Sequence, residues 1–119
     1  MAHYVDGFVL PIRKKNLNAY RRMARIGKKL WMKHGALDYK ECIGDDLKPK
    51  WGVPFPRVLK VKSSETVVFS YIVYKSKAHR NSVNAKVMKD PLMTSMSPKD
   101  VPFDVKKMAF GGFRVFVKG

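Results

Sequence analysis

Runs of apolar residues predict where the strands and helices of this chain lie. The clearest run, Thr66–Tyr74, is rich in β-branched and aromatic residues and has little polar alternation, which is typical of a strand buried on both faces. Ser76 follows as a helix N-cap, because its hydroxyl can accept hydrogen bonds from the free amides of a first turn. His79, Val83 and Val87 then recur every four residues and form one stripe of that helix.

A second helix is predicted over Lys14–His34, where apolar and basic residues separate onto opposite faces. Gly27 falls inside the apolar face and costs about 1 kcal/mol of helix propensity, so we expect a packing reason for it. Gly35 is placed to end the helix as its C-terminal cap. The apolar face holds Leu17, Tyr20, Met23, Ala24, Gly27, Leu30 and Trp31, and the basic face holds Lys14, Lys15, Arg21, Arg22, Arg25, Lys28, Lys29 and Lys33.

The remaining patterns predict further strands and one connector. His3–Pro11 is apolar apart from one aspartate and is expected to end at its proline, and Ala36–Ile43 alternates as an edge strand does. Arg57–Lys62 is a candidate for a short strand within a proline-rich excursion. Asp90–Asp104 is a connector with one short helical turn, and Lys107–Lys118 is the last strand.

This order, β-α-β-β-α-β, predicts a single α+β domain over residues 1–119 with the ferredoxin-like split βαβ fold. Its antiparallel four-stranded sheet carries both helices on one face. The other face remains apolar and lacks a covering element, so we expect a second copy to cover it and the protein to be a homodimer. Gly111-Gly112 in the last strand indicates a bulge or a close backbone approach.

The charge is unusual for a chain of 119 residues: 25 Lys and Arg against 9 Asp and Glu give a formal net charge of +16. One interpretation is binding of nucleic acid or an anionic surface by the basic face of the Lys14–Lys33 helix. The alternative is a solvated surface, because no exposed aromatic side chains alternate with these cations to stack on bases. With a single cysteine, Cys42, and no apolar block followed by a cleavage site at the N-terminus, we expect a cytoplasmic protein that does not enter a membrane.

Four segments in order resemble the YbaA-like family of small bacterial proteins of unknown function: YVDGFVLPI, GALDYKECIGDD, ETVVFSYIVYKSKAHRNSVNAKVM and PFDVKKMAFGGF. The family is similar to the dimeric α/β-barrel superfamily, in which two ferredoxin-like sheets face each other and close a barrel. That superfamily includes cofactor-free quinone-forming monooxygenases and haem-degrading enzymes. The resemblance implies the barrel-forming homodimer and brings no catalytic residues with it.

Candidate chemistry begins at the helix start after Tyr74, where we expect a cavity beside the exposed sheet face. His79 is a candidate catalytic acid or base, Arg80 a clamp for a small anionic or carbonyl-bearing ligand, and Asn84 an orienting amide. The alternative is structural: Arg80 pairs with a carboxylate, while the other two side chains cap loop carbonyls.

Two charged residues lie inside the apolar strands, Asp6 and Arg114, and a buried charge is costly unless it is paired. They either satisfy one another, meet a partner subunit, or bind a ligand. Tyr71 offers a phenol to such a ligand, although strand tyrosines more commonly pack in a core. The histidines and acidic residues do not show metal-ligand spacing, and no glycine-rich phosphate loop follows a strand. We therefore expect no metal and no cofactor.

The sequence therefore favours a protein that binds a small molecule between sheet and helix, with a cofactor-independent oxygenase- or isomerase-like activity as the reaction that the fold suggests. Whether it is an enzyme stays open. The alternatives are the nucleic-acid or anionic-surface binder described above and a structural homodimer with no ligand.

Overall fold

The computed structural model describes residues 3–119 and contains four strands and four α-helices. The strands are β1 (Tyr4–Arg13), β2 (Asp38–Ile43), β3 (Glu65–Tyr74) and β4 (Ala109–Arg114). The helices are α1 (Leu17–Lys33), α2 (Phe55–Val58), α3 (Lys77–Lys89) and α4 (Pro91–Thr94). Short 3-10 turns precede α1 and interrupt the segment between α4 and β4.

The strands form one antiparallel sheet in the order β2-β3-β1-β4, which confirms the ferredoxin-like topology. β1 and β3 pair over ten residues each, from Tyr4 opposite Tyr74 to Arg13 opposite Glu65. β4 pairs with β1 only as far as Val9. This shorter pairing explains why Pro11 does not end the first strand as predicted: β1 has no β4 neighbour there, so the missing N–H need not break a ladder bond.

The helix boundaries follow the local signals closely. Gly35 has a φ of +112°, the left-handed conformation expected of a helix C-cap glycine. Ser76 caps α3 by accepting a hydrogen bond at 3.1 Å from the backbone N–H of His79. The strand predicted over Arg57–Lys62 is wrong: Pro54 and Pro56 instead start the helical turn of α2, a position that proline favours because its first amides need no partner.

Even-numbered residues of β1 and β3 face α1 and α3 and build two adjoining core clusters. Ile72 and Tyr74 pack with Leu30 of α1 and with Val83 and Val87 of α3. Leu10, Ile12 and Val68 pack with Tyr20 and Ala24 of α1. The apolar stripes of both helices therefore face the sheet, and the predicted basic residues of the first helix segment are all exposed.

Odd-numbered residues of β1 and β3 face away from α1 and α3. At one end of this open face α2 contacts β3, and Pro11 and Val67 are buried. Further along, Phe69 is 43% exposed and Phe113 of β4 is 62% exposed. β3 is thus buried on both faces only at that end, and the central part of the open face is accessible in one copy of the chain.

Within residues 3–119, the helices are too short or too polar for any of them to cross a membrane.

Candidate functional site

A cavity of about 430 Å³ lies between the sheet and the two long helices. Its walls come from β1, β2, β3 and β4, from α1 and α3, and from the connector that follows α3. It therefore opens on the helix-covered side of the sheet. The prediction that the cavity borders the exposed sheet face is wrong. Neither α1 nor α3 covers that face, so neither long helix forms a second wall there.

Most of the cavity wall is apolar, and it is rich in methionine and aromatic side chains. Five of the seven methionines in the chain contribute, from α1, α3, α4 and the connector: Met23, Met88, Met93, Met96 and Met108. Phe8, Trp31, Phe103 and Phe110 add aromatic surface. Unbranched thioether side chains adapt to irregular shapes and make favourable contacts with aromatic rings. The wall is suited to an apolar or aromatic molecule.

One end of the cavity carries a buried ion pair between the sheet and α3. Arg80 donates a hydrogen bond from Nη1 to Asp6 Oδ1 at 3.0 Å, and its guanidinium lies 5.0 Å from the centroid of the Tyr4 ring. Burial raises the pKa of the Asp6 carboxyl, and the Arg80 guanidinium opposes that rise. Of the alternatives considered for Asp6, pairing with Arg114 is wrong, because the carboxylate pairs with Arg80 of α3 instead.

Two hydrogen-bond donors at this end are left over. Arg80 Nε is buried and has no partner among the described residues. Asn84 lies one turn further along α3, and its Oδ1 accepts from Trp31 Nε1 at 3.0 Å and from Tyr74 Oη at 3.3 Å. Trp31 and Tyr74 thus occupy the side-chain oxygen of Asn84. Its amide N–H groups remain to donate to another acceptor.

A second polar cluster joins α1 to β2 on the opposite wall. Tyr20 Oη donates to Glu41 Oε1 at 2.7 Å, and Tyr39 Oη donates to Glu41 Oε2 at 2.6 Å. Burial, together with the adjacent carboxylate, raises the pKa of both phenols well above the ordinary value of 10.0. Both tyrosines stay protonated at neutral pH and act as hydrogen-bond donors.

Gly27 makes this cluster possible, which confirms the expected packing reason for it. A Cβ atom at this position would lie 2.6 Å from Tyr39 Oη. The bare backbone of α1 therefore leaves the space in which the tyrosine hydroxyl reaches Glu41.

The three candidates on α3 divide between the cavity and the loop before the helix. Arg80 and Asn84 line this cavity, and their roles as ligand clamp and orienting amide stay predictions. His79 does not line it: its Nδ1 accepts a hydrogen bond from the Lys75 backbone N–H at 3.0 Å, and its ring packs edge-on against Tyr74. The imidazole therefore stabilises the loop before α3, which is the structural alternative for this residue. A catalytic role for His79 stays a prediction, and its position outside the cavity does not favour that role.

The other two candidates lie away from the cavity. Tyr71 is on the open face of the sheet, where it packs near Phe69. Arg114 is exposed at the end of edge strand β4, opposite Tyr4. Neither contributes to the walls of the cavity.

Sequence reasoning missed the Glu41 cluster and the methionine wall. Glu41 had a visible signal, because it lies on the apolar side of an alternating strand together with Tyr39. The methionines had none, since four of the five come from the end of α3 and the connector, where no periodic pattern places them. Within the described part of the chain, no three His, Cys, Asp or Glu side chains converge as a metal site would require.

Comparison with known proteins identifies relatives over nearly the whole chain. Residues 3–105 match the family described as "Protein of unknown function (DUF1428)". The uncharacterized protein YbaA of Escherichia coli strain K12 is 39% identical over 114 residues, which cover 96% of this chain and 97% of the relative. YbaA of Shigella flexneri matches with the same identity and coverage.

The fold has a relative among solved structures as well. A dimeric ferredoxin-like protein from an uncultured marine organism superimposes over 100% of both chains with a TM-score of 0.59, at 12% sequence identity. At that identity the likeness is one of fold. The family match and the YbaA relatives carry the assignment, and the chain belongs to the DUF1428 family.

Proposed function

We propose that this protein binds a small, largely apolar molecule in the cavity between its sheet and helices, and that a carbonyl oxygen of this molecule is held by Arg80. The observation that carries the proposal is a largely apolar cavity with Arg80 in its wall, because Arg80 Nε is buried and has no partner among the described residues. Leaving such a donor buried without an acceptor costs about 1–3 kcal/mol, which a ligand oxygen would recover.

Size and lining support this kind of ligand. Ligand cavities in proteins commonly measure about 300–1,000 Å³ and are mostly apolar with a few placed polar groups. At about 430 Å³, this cavity is large enough for one or two fused rings with a short substituent. The methionine and aromatic wall would take the apolar body, and the amide N–H groups of Asn84 would add a second donor beside Arg80 Nε.

The charge at the polar end favours a neutral acceptor. Asp6 already accepts from Arg80 Nη1, so the guanidinium charge is matched within the protein. A carboxylate ligand would bring a second negative charge next to Asp6, whereas a ketone or amide oxygen would not. A carbonyl compound is therefore the ligand class that we infer.

The neutral naphthyl ketone 2-propionylnaphthalene is a suitable first probe, and 2-propylnaphthalene is its match without the carbonyl. Titration should show saturable binding of both, with the ketone bound more tightly. Arg80→Lys keeps a cation for Asp6 but removes Nε, so it should weaken the ketone about tenfold and leave the hydrocarbon within about twofold. Circular dichroism and urea unfolding would establish that the variant is folded.

His79→Gln is the matched control on the same helix, because His79 does not line the cavity. It should leave both affinities unchanged. Equal affinity of the wild-type protein for ketone and hydrocarbon would contradict the role of Arg80, and failure to bind either probe at its solubility limit would contradict the proposal itself.

We also propose that two copies pack through the open face of the sheet. Phe69 and Phe113 are large apolar side chains exposed on this face, and half-buried Val5, Val9 and Val73 surround them. A patch of this kind is typical of an interface. The structural relative is a dimeric ferredoxin-like protein, which supports an assembly of two copies.

Two neighbouring phenylalanines on opposite faces of β4 give a matched test. Phe113 lies on the open face and Phe110 on the helix side, with exposed fractions of 62% and 69%. Sedimentation analysis should show a dimer for the wild-type protein and for Phe110→Lys, and a monomer for Phe113→Lys. A wild-type monomer at micromolar concentration, or equal dissociation of both variants, would contradict this interface.

A further inference from the structure

A second depression lies outside the cavity, between α1 and edge strand β2, and we call it the α1–β2 groove. Its volume is about 240 Å³. Leu17 and Ala24 from α1, with Ile43 and Val68 from the sheet, supply its apolar surface. Ile43 is 53% exposed at the end of β2, so this surface reaches solvent.

Three cations line the groove together with these apolar residues: Arg21, Arg25 and Lys28. Their spacing of four and three residues puts them on one stripe of α1, where like charges repel one another by about 0.2–0.5 kcal/mol per pair. All three are exposed, and within residues 3–119 no carboxylate lies within salt-bridge distance of them. A bound anion would relieve this repulsion.

Of the described residues that line the groove, Glu41 alone carries a carboxylate, and both of its oxygens already accept hydrogen bonds. Each of its oxygens accepts a hydrogen bond from a phenol, Tyr20 Oη at 2.7 Å and Tyr39 Oη at 2.6 Å. The groove thus combines an apolar surface with a cationic rim, and this pairing complements a molecule that has an alkyl tail and an anionic head.

We propose that the α1–β2 groove binds a free single-chain amphiphile with an anionic head, of the kind represented by a medium-chain fatty carboxylate. The tail lies against Leu17 and Ile43, and the head lies between Arg21 and Arg25. The guanidinium groups can each hold a carboxylate through two parallel hydrogen bonds.

Two macromolecular occupants fit the groove less well. An extended peptide would have to pair with the edge of β2, but β2 carries the charged pair Asp38 and Lys40, and charged side chains are a common protection of sheet edges against pairing. Single-stranded nucleic acid would need exposed rings on which bases stack, and the rim of the groove offers only cations.

Decanoate below its micelle concentration is the probe, with decanol as the neutral match and acetate as the match without a tail. Calorimetric titration should show binding of decanoate, with decanol and acetate at least about tenfold weaker. Decanol bound as tightly as decanoate would overturn the role of the cations, and acetate bound as tightly would overturn the role of the apolar surface.

Charge variants on one helix give the decisive comparison. Arg21→Gln with Arg25→Gln should weaken decanoate about tenfold or more. Arg22→Gln with Lys29→Gln removes the same charge from exposed positions outside the groove and should change the affinity by less than about twofold. Equal loss in both double variants would mean a diffuse charge effect and would overturn the site.

Methyl NMR locates the ligand independently. Among residues 3–119, the lining of the groove contains no methionine, whereas that of the cavity contains several. Decanoate should therefore shift the Ile43 methyl signals and leave those of Met88 and Met93 unchanged. Shifts at the methionines alone would place decanoate in the cavity and overturn this proposal, while leaving the ketone site to be judged by its own probe. Binding to anionic vesicles that exceeds binding of free decanoate, and that both double variants weaken equally, would show a membrane surface as the partner instead.

Discussion

Asp6 on β1 and Arg80 on α3 join the sheet to the helix layer through a hydrogen bond of 3.0 Å between Oδ1 and Nη1. The side chains are 8% and 21% exposed, so both charges are largely removed from water. Because each charge compensates the other, the pair fixes where α3 lies over β1, and it does so at the polar end of the cavity.

Removing both partners of this pair should destabilise the protein by less than the sum of the effects of removing each one alone. Arg80→Met or Asp6→Leu alone leaves a buried charge without its partner, and we expect each to lower the free energy of unfolding by about 2–4 kcal/mol. In the double variant, the loss in free energy of unfolding should be smaller than the sum of the two single-variant losses by about 1–3 kcal/mol. Urea unfolding of the four proteins measures this coupling.

Arg114→Met is the control for loss of an arginine. Arg114 is exposed on β4, so its replacement should change the free energy of unfolding by no more than about 0.5 kcal/mol. Strict additivity of the Asp6 and Arg80 variants would show that the two residues do not stabilise one another.

Gly27→Ala should destabilise the protein although alanine is the better helix former. The gain in helix propensity is about 1 kcal/mol. Against it, the new Cβ would lie 2.6 Å from Tyr39 Oη and push that hydroxyl away from Glu41, with a net loss of about 1–2 kcal/mol in thermal or urea unfolding.

The Tyr39→Phe background supplies the control for this prediction. Without the hydroxyl the nearest atom of the ring is the one 3.5 Å away, an ordinary contact distance. Gly27→Ala should then be neutral or stabilising. The same loss in both backgrounds would show that the hydroxyl of Tyr39 is not the cause.

Ser76→Ala should lower the free energy of unfolding by about 1 kcal/mol, because it removes the side-chain oxygen that accepts from the His79 backbone N–H. Ser82 is an exposed serine within α3, and Ser82→Ala should be neutral or slightly stabilising. Chemical unfolding of the two variants separates the cap from serine itself, and equal effects would refute the capping role.

Asp90→Asn should destabilise the protein at neutral pH and have progressively less effect in acid. The side chain lies 2.8 Å from His34 Nε2 and accepts hydrogen bonds from the Leu92 backbone N–H and from Lys33 Nζ. These contacts, that of His34 foremost, hold the pKa of Asp90 well below its ordinary value of 3.8. Since the folded pKa is the lower one, the stabilisation is complete above 3.8 and is lost as the pH falls below it.

Unfolding measured at neutral pH and at a series of pH values below 3.8 tests the Asp90 prediction. Asp46→Asn is the control, an exposed aspartate in the loop after β2. If the difference between wild type and Asp90→Asn stayed constant over the whole range, the carboxylate charge would not be what stabilises this contact.

Local signals were enough to predict the elements that place the site. The helical period of α1 separated its buried face from its cations, Gly35 and Ser76 marked two helix ends, and the order of strands led to the ferredoxin-like sheet. Each of these depends on residues close together in sequence, or on a period that the chain repeats.

The cavity itself depends on contacts between distant residues. Asp6 and Arg80 meet only because β1 and α3 are adjacent in the folded protein, and nothing in the sequence near Asp6 favours Arg80 over Arg114. The segment that begins in α2 carries apolar residues at Val58, Leu59 and Val61, and these favour a strand unless Pro54 and Pro56 are recognised as a helix start. Sequence patterns therefore predict the individual strands and helices that form the walls of the cavity, but not which of their side chains come into contact.

The central position of β1 also has a consequence for how the chain must fold during synthesis. Tyr4–Arg13 is made well before both strands that flank it, because β3 and β4 lie much further along the chain. Until those strands emerge from the ribosome, a ten-residue apolar strand has two unsatisfied edges, which is the condition under which nascent chains associate wrongly. We expect slow, late formation of the sheet, and a nascent chain that depends on chaperones until β3 has been made.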